Sequence, residues 1–294
     1  MEFIKMHGLG NDFVITFCRT EDEADTLLVA APRLCDRHFG IGADGVIAVM
    51  LSAVADIRMR TFNPDGSEAQ MCGNAIRCVA RAVEEHWTAD LARGLASGDP
   101  LRVETLGGLK RVWVTDRGPG AWRVRVDMGE PSFGQVPQVE QEFDIGGRKV
   151  VLTLVSMGNP HAVTFVPRLD RAQMLEMGPR IETSEHFPDR TNVEFVSVAG
   201  DTLHVLVWER GAGPTLACGT GACASLVAAA RTGRSSRRAA VELPGGLLEV
   251  EWAQDNHVYM TGAAEEVFTG QAEVSSFLPG PGTVRSRYEE SGRV

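Results

Sequence analysis

The sequence contains neither an excess of basic residues nor a long hydrophobic run, and both absences limit what the protein can do. Lys and Arg total 29 against 39 Asp and Glu, which gives a net charge of −10 and a pI near 5.2. Binding to nucleic acid or to an anionic membrane normally needs a basic patch. No apolar stretch reaches the roughly 18 residues of a membrane span. We therefore expect no nucleic-acid partner and no membrane partner.

The first residues also lack the features of an export signal. The start MEFIK has neither a basic segment nor an apolar core of the secretory type. The chain has 294 residues, 44% of them hydrophobic, and a mean hydropathy of −0.07, so it can bury a core without disulfides. Its six cysteines are therefore expected to be reduced. These features predict a cytoplasmic protein with room for two domains.

Cysteine pairs typical of a metal site are missing as well. Cys72 and Cys78 do not form a CxxC pair, and no second pair completes a zinc site. The sequence has no dinucleotide fingerprint before a helix and no lysine in a recognisable cofactor setting. We expect neither a metal nor a cofactor. Four cysteines have no catalytic surroundings and are expected to be small buried hydrophobic residues: Cys18, Cys35, Cys78 and Cys223.

The other two cysteines lie in matching segments, MCGNA at residues 71–75 and ACGTG at 217–221. In each, a polar, glycine-rich loop gives way to a helix-like apolar run. A helix N-terminus lowers the pKa of a thiol from its ordinary value of about 8.5. Each sulfur is therefore predicted to act as an acid or a base near neutral pH.

The surroundings of Cys72 and Cys218 repeat along the chain. The loop NPDGS begins nine residues before Cys72, and the loop ERGAG begins nine residues before Cys218. Further upstream, GNDF places Asn11 61 residues before the first cysteine, and GNPH places Asn159 59 residues before the second. Such offsets indicate a duplicated module. Two halves of this kind are expected to hold a ligand between them.

Hydrophobic periodicity predicts strands separated by glycine-containing turns, with few helices. Apolar residues at helical spacing predict a helix from Cys72 to about His86, and an almost entirely apolar run predicts a buried helix over 222–231. Alternating or β-branched runs predict the strands, which are 14–17, 45–49, 57–62, 111–115, 122–126, 150–155, 162–166, 193–198, 203–208, 240–243, 247–252 and 258–261. A polar loop is predicted over 89–100.

Five motifs together resemble those of diaminopimelate epimerases. They are KMHGLGNDF at 5–13, NPDGSEAQMCGNAIR at 63–77, GNPH at 158–161, TNVEF at 191–195, and WERG at 208–211 leading to ACGTG at 217–221. The resemblance runs from residue 1 to about 270. It implies a cofactor-independent epimerase that interconverts LL- and meso-2,6-diaminopimelate in lysine and peptidoglycan precursor biosynthesis.

The resemblance also implies an α+β (mixed α/β) fold of two pseudo-symmetric domains, each a strand-rich, barrel-like sheet around a central helix. We expect an N-terminal half over 1–118 that carries Cys72 and a C-terminal half over 119–262 that carries Cys218. Residues 263–274 are expected to return to the first half. The region around Phe268 is expected to help form a homodimer. A disordered tail is predicted over 275–294.

Inverting a stereocentre without a cofactor needs a base on one face of the carbon and an acid on the other. By resemblance, Cys72 and Cys218 are these two groups, and His161 and Glu209 assist the thiols or hold the reactive amino group of a small amino-acid substrate. Helix-start groups are expected to bind the α-carboxylate, namely Gly73, Asn74, Gly219 and Thr220. The distal end and the amino groups are assigned to Asn11, Asn63, Asn159, Asn192 and Arg210, with Glu209 also in contact.

Three positions depart from the commonest family pattern: Ala75, Gly45 and Pro214. The last two could alter contacts with the substrate, so a racemase of the same fold that acts on another amino acid is the nearest alternative. Phenazine-type isomerases share the fold but lack the paired cysteines. Two further alternatives are a redox protein with a switchable disulfide between the two cysteines and a non-catalytic amino-acid binding protein.

Overall fold

The structure is a computed structural model that describes residues 1–87, 98–134 and 139–279. These residues form a mixed α+β fold rich in strands, with four α-helices and 17 strands. The helices are α1 (Glu21–Leu34), α2 (Gly73–His86), α3 (Arg171–Glu182) and α4 (Gly219–Arg231). Of the helices in the described ranges, none is long and apolar enough to cross a membrane.

The strands follow in chain order, in two groups. The first comprises β1 (Glu2–Gly8), β2 (Asn11–Phe17), β3 (Gly45–Leu51), β4 (Ile57–Phe62), β5 (Glu68–Ala69), β6 (Leu101–Thr105), β7 (Gly108–Arg117) and β8 (Ala121–Asp127). The second comprises β9 (Gln141–Ile145), β10 (Arg148–Ser156), β11 (Pro160–Phe165), β12 (Asn192–Ala199), β13 (Thr202–Glu209), β14 (Gly213–Pro214), β15 (Arg238–Leu243), β16 (Gly246–Trp252) and β17 (Val258–Gln271).

The same order of elements and the same strand pairings occur twice, which confirms the predicted pseudo-symmetry. In the first half, β2 pairs with β3 in parallel across α1, and β4 pairs with β6 in parallel across α2. In the second half, β11 pairs with β12 in parallel across α3, and β13 pairs with β15 in parallel across α4. Cys72 and Cys218 precede the equivalent helices α2 and α4.

Eight strands of the first half close into a barrel. The ladders connect β1, β2, β3, β4, β6, β7, β8 and β17 in turn, and β17 pairs with β1 to complete the ring. Helix α2 packs against strands of this ring and buries its residues from Gly73 to Val83. An element enclosed by strands must be apolar or internally satisfied on nearly every side.

The second half repeats the order of ladders around α4, although no ladder among the described residues joins β9 to β17. Its ladders run from β9 through β10, β11, β12, β13, β15 and β16 to β17. Helix α4 is apolar almost all round, as predicted, and its residues from Gly221 to Ala229 are buried. One continuous hydrophobic cluster includes residues from both central helices. The two halves therefore share a core, and β17 contributes to both.

The predicted strands and the two central helices are confirmed, with longer bounds in most cases. The sequence patterns missed α1, α3, β1, β5, β6, β9 and β14. The tail prediction differs over its first residues, because Val274–Phe277 form a 3-10 helix. Phe277 and Leu278 pack against the cluster that contains α1, and Arg33 donates to the carbonyl of Leu278 at 2.9 Å. Residues 280–294 lie outside the described residues, as does most of the predicted loop over 89–100.

Candidate active site

The predicted site residues come together because equivalent strand ends meet at one side of each half. Asn11 begins β2 and Asn159 immediately precedes β11, whereas Asn192 begins β12 and Glu209 ends β13. Parallel neighbours place their starts at the same edge, and an antiparallel neighbour places its end there. The loops before α2 and α4 deliver the two cysteines to this edge. The domain limits expected from the sequence stay a prediction.

Helices α2 and α4 touch at their first residues, Gly73 and Gly219. A Cβ added to Gly219 would lie 3.5 Å from the Cα of Gly73, and 3.1 Å from the sulfur of Met260 on β17. A Cβ added to Gly73 would lie 3.1 Å from Cε of Met260. A Cβ at either position would therefore crowd the Met260 side chain, which would have to shift by a few tenths of an ångström. Two helix N-termini, whose first backbone N–H groups have no partner within the helix, therefore lie side by side.

Cys72 is the N-cap residue of α2 and is half-buried. Its Sγ lies 3.8 Å from Oδ1 of Asn11. Burial raises the pKa of the Cys72 thiol, and the negative charge of Glu209 acts in the same direction. The backbone N–H groups of Ala75 and Asn74 and the cationic Arg77 partly oppose this rise in pKa.

Cys218 holds the same position at the start of α4 and is 6% exposed. Its Sγ accepts a hydrogen bond from the N–H of Gly221 at 3.3 Å and lies 3.5 Å from the hydroxyl of Thr220. Burial raises the pKa of the Cys218 thiol well above its ordinary value, and the carboxyls of Glu209 and Glu194 add to that effect. The sequence expectation that a helix N-terminus lowers both thiol pKa values is thus wrong for this structure, because desolvation outweighs the helix dipole.

His161 is buried and its two ring nitrogens have partners of different kinds. Nδ1 lies 2.7 Å from Oε1 of Glu194, and Nε2 lies 3.0 Å from Oδ1 of Asn159. The Asn159 amide then donates to the Thr220 hydroxyl at 3.3 Å. These contacts connect His161 with the group that lies beside the Cys218 thiol.

The negative charge of Glu209 raises the pKa of both the Cys72 thiol and the Cys218 thiol. Oε1 of Glu209 accepts a hydrogen bond from the Thr215 hydroxyl. Burial raises the pKa of Glu209, whereas hydrogen bonds from Thr215 and Cys218 lower it. A carboxyl with a raised pKa beside a thiol is suited to exchanging a proton with it.

The Asn74 side chain joins the two halves. Its amide nitrogen donates at 3.0 Å both to Oδ1 of Asn11 and to the carbonyl of Ala217, the residue before Cys218. Its Oδ1 accepts from the fully buried Arg77 at 3.0 Å. The side chain is thereby committed to protein contacts, so its part in binding a substrate carboxylate is restricted to its backbone N–H.

Asn11 is held by charged groups on its other side. Its amide donates to Oδ2 of Asp44 at 2.9 Å, and Asp44 also pairs with Arg37 at 2.7 Å. Asp12 joins the same network through Arg37 at 2.6 Å and Lys5 at 2.5 Å, and these cations hold the pKa of Asp12 at about 2. The network keeps the Asn11 carbonyl beside the Cys72 sulfur.

The remaining candidates divide into two kinds. Asn192 uses its side chain within the protein, donating to the Pro160 carbonyl at 2.8 Å and accepting from the Arg210 N–H at 3.0 Å. Asn63 donates to the Ser67 hydroxyl at 2.9 Å and shapes its own turn. The Arg210 side chain is exposed and donates to the Asp189 carbonyl at 3.2 Å. Of these three, Arg210 has the most donors free for a ligand.

Sequence reasoning missed four residues that contact the predicted site: Glu194, Asp44, Thr215 and Met260. Glu194 lies within the quoted motif TNVEF, but nothing in its spacing shows that it meets His161. A Cβ on Gly221 would lie 2.8 Å from Oε1 of Glu194, so a glycine at this helix position also makes room for the carboxyl. Because Asn192 to Val196 of β12 are all buried, no alternation along this strand marks Glu194 as a site residue.

One group of metal-ligand type occurs in the described part of the chain, outside the site. The ligand atoms of Glu85, His86 and Glu266 lie within 4.8 Å of one another. Glu85 is already bound by Arg81 at 2.8 Å, and the group lies at the end of α2 opposite to Cys72. It contributes nothing to the chemistry around the cysteines.

Comparison with known proteins decides between the families that share this architecture. A sequence model described as diaminopimelate epimerase matches residues 3–134 and 153–267. The chain belongs to the diaminopimelate epimerase family. Relatives named diaminopimelate epimerase include those of Moorella thermoacetica, 50% identical over 92% of this chain and 98% of the relative, and of Synechocystis, 49% identical over 93% and 99%.

Solved structures with the same architecture lie further away in sequence. A probable proline racemase from Agrobacterium radiobacter is 16% identical, with a TM-score of 0.70 over 92% of each chain. A phenazine biosynthesis protein from Bacillus anthracis is 18% identical, with a TM-score of 0.66 over 93% of this chain and 99% of the other. At these identities the likeness establishes the fold alone.

Proposed function

We propose that this protein interconverts LL- and meso-2,6-diaminopimelate by transferring protons between two cysteines and the α-carbon. The supporting observation is the contact of Gly73 with Gly219, which places two N-cap cysteines at adjoining helix starts. Family membership and relatives near 50% identity support the choice of substrate. The reaction belongs to the synthesis of lysine and peptidoglycan precursors.

The proposed reaction needs one thiolate and one thiol. The thiolate removes the α-proton on one face of the carbon, and the thiol on the other face donates its own proton, which inverts the centre. Each turnover exchanges the protonation states of Cys72 and Cys218, so the reverse reaction uses the opposite starting state. Protons balance without any added acid or base.

The carbanion formed between these steps is stabilised by the positive ends of the helix dipoles of α2 and α4. The backbone N–H groups at the starts of α2 and α4 would bind the α-carboxylate of the substrate, through Gly73, Asn74, Gly219 and Thr220. Arg77 adds a buried guanidinium that donates to the Gly73 carbonyl at 3.0 Å. The site thereby concentrates positive potential where negative charge develops.

Glu209 and His161 are assigned to supporting the thiols. The raised pKa of Glu209 and its charge coupling to both cysteines suit it to remove a thiol proton when the substrate arrives. The distal amino-acid end of the substrate is assigned to polar groups of the two halves, among which Arg210 is exposed and Asn192 is buried. These are Asn11, Asn63, Asn159, Asn192 and Arg210, of which Arg210 is the cation available for a second carboxylate.

The test is incubation of the reduced protein with LL-diaminopimelate in D2O, with the isomers and the α-deuterium content followed together. We expect conversion to the meso form with one deuterium at the inverted carbon, and loss of conversion in Cys72→Ala and in Cys218→Ala. Cys35→Ala, which removes a buried thiol outside the site, is the matched control and should turn over normally.

The outcomes separate the alternatives. Turnover of a different amino acid, with LL-diaminopimelate untouched, would identify a racemase of the same fold. Binding of diaminopimelate without deuterium uptake would identify a binding protein. Reversible formation of a disulfide between Cys72 and Cys218, with no amino acid isomerised by the reduced protein, would identify a redox protein.

We further propose that the protein is a homodimer in the cytoplasm. Val267 and Phe268 on β17 are 55% and 46% exposed, and Phe268 packs edge-on against Phe3 at 6.0 Å between ring centroids. Exposed apolar residues on a strand are suited to burial against a second copy. Phe268→Asp is expected to shift the mass measured by light scattering from two chains to one, whereas an unchanged mass would contradict this interface.

A further inference from the structure

Glu194 is a fully buried carboxyl to which no role has been assigned. It is 0% exposed, and its Oε1 lies 2.7 Å from Nδ1 of His161. Oε2 has no hydrogen-bond partner among the described residues. A buried carboxyl is costly to retain unless it performs a task, and the residues around Glu194 indicate which task that is.

Four contacts lead from Glu194 to the Cys218 sulfur. Glu194 meets Nδ1 of His161, Nε2 of His161 meets Oδ1 of Asn159 at 3.0 Å, and the Asn159 amide donates to the Thr220 hydroxyl at 3.3 Å. The Thr220 oxygen then lies 3.5 Å from Sγ of Cys218. Strand β12, strand β11 and helix α4 are thus connected through side chains.

The direction of each hydrogen bond follows from the chemistry of the groups. Because Oδ1 of Asn159 can only accept, Nε2 of His161 carries a proton. Because the Thr220 oxygen accepts from the Asn159 amide, its own hydroxyl proton is free to point at the Cys218 sulfur. A hydroxyl that donates to sulfur stabilises the thiolate over the thiol.

We propose that Glu194 is a positioning residue that acts through His161 and Asn159 to hold the Thr220 hydroxyl as a donor to the Cys218 thiolate. Glu194 need not touch the substrate. As a neutral acid, which its burial favours by raising its pKa, Glu194 donates to Nδ1 of His161 and places no charge beside Cys218. The contact fixes the ring and leaves Nε2 as the donor that orients Asn159. This inference rests on the proposed acid and base role of Cys218, and it adds a residue to that role.

The choice of variants separates orientation from packing. Glu194→Gln keeps a group that can donate to Nδ1, so the chain of contacts survives without the carboxyl. Glu194→Met keeps the volume but leaves Nδ1 without a partner. Thr220→Val removes the hydroxyl at the other end. Asp127→Leu is the matched control, since Asp127 forms a similar 2.7 Å pair with His257 on a strand position that faces away from α2 and α4.

We expect kcat for epimerisation to fall about 10- to 100-fold in Glu194→Met and in Thr220→Val, the effect of losing a hydrogen bond to a charged group, while KM changes less than about threefold. The double variant should be no slower than the slower single variant, because both remove the same donor. Glu194→Gln should stay within about threefold of the wild type, as should Asp127→Leu. Additive losses in the double variant, or a Glu194→Gln as slow as Glu194→Met, would overturn the proposal.

A second measurement needs no substrate and therefore stands if the proposed reaction fails. The nitrogen NMR signals of His161 should show a proton on Nε2 in the wild type, in Glu194→Gln and in Thr220→Val. An unprotonated Nε2 would reverse the Asn159 amide and turn the Thr220 hydroxyl away from Cys218, which would overturn the proposal. Loss of turnover by the wild type together with a protonated Nε2 would count against the reaction and leave the contact chain supported.

Discussion

Gly73 and Gly219 approach each other so closely that a Cβ on Gly219 would lie 3.5 Å from the Cα of Gly73. The same Cβ would lie 3.1 Å from the Met260 sulfur, which is tighter than ordinary packing. The distance between the two cysteine-bearing loops therefore depends on the lack of a side chain at Gly73 and at Gly219 and on the packing of Met260 against them.

We expect Gly219→Ala to displace the Met260 side chain that packs on the starts of both helices, and to lower kcat at least tenfold. Overpacking of this kind costs about 1 to 3 kcal/mol. Steady-state kinetics and urea unfolding measure the two effects. Gly200→Ala is the control, because Gly200 has a φ of +58° in an exposed turn with no atom within 4 Å of an added Cβ. It should lose stability and keep its kcat. Full activity in Gly219→Ala would show that the helix contact is not required.

Cys72 should react with iodoacetamide before Cys218. Burial raises the pKa of both thiols, but Cys72 is half-buried and Cys218 is 6% exposed. Since the thiolate is the nucleophile, both labelling rates should be low at pH 7 and should rise as the pH increases toward and beyond 9. Peptide mass spectrometry at several pH values gives the order.

Cys35 serves as an internal control for that labelling experiment. Burial raises its pKa to about 12, and it is 4% exposed, so it should stay unlabelled under native conditions. Rapid labelling of Cys218 at pH 7 would mean that the helix dipole dominates its pKa after all.

Glu209→Gln should alter the dependence of stability on pH. A buried carboxyl with a raised pKa binds its proton more tightly in the folded protein than in the unfolded chain. Its contribution to the free energy of unfolding is therefore greatest below the unfolded pKa of about 4.3, and it falls as the pH rises through the folded value. Relative to the wild type, Glu209→Gln should be more stable at pH 8 than at pH 5.

Urea unfolding at the two pH values tests the Glu209 prediction. Glu185→Gln, which neutralises an exposed carboxyl, should give the same difference from the wild type at both pH values. A Glu209→Gln variant that loses relative stability between pH 5 and pH 8 would reverse the predicted sign.

Asn74→Ala should be among the most destabilising substitutions of a polar residue in this chain. It removes two hydrogen bonds at 3.0 Å and leaves the buried Arg77 without the acceptor that Oδ1 provides. Leaving buried polar groups unpaired costs about 1 to 3 kcal/mol for each group. Asn63→Ala, which removes one contact in an exposed turn, should cost less than about 1 kcal/mol. Equal losses in the two variants would show that Asn74 does not join the halves.

The cysteine motifs and central helices could be predicted because their signals are local. Glycine after cysteine marks a loop that enters a helix, and the apolar run of α4 can only be buried. Helix α1 had local signals that were missed, since Thr20 caps it and three acidic residues fill its first turn. Helix α3 carries Gly178 and Pro179 near its end, which weakens any helical pattern.

The features that escaped prediction depend on distant pairing. The motif TNVEF contains Glu194, but its role follows from the parallel pairing of β12 with β11, which brings it to His161. The thiol pKa values depend on burial by elements from both halves, so a helix N-terminus alone gave the wrong direction. Roles in substrate binding stay predictions at every assigned position.

Strand β17 has a consequence for how this protein is made. Its residues pair with β1 so that Glu2 lies opposite Gln271, which joins the first and last strands of the described residues. A ribosome must therefore release the chain through residue 271 before the first barrel can close. Contacts between such distant residues slow folding, and until β17 arrives the edge of β1 has no partner strand there. We expect the nascent N-terminal half to be a substrate for chaperones and to gain protease resistance only after β17 has been synthesised.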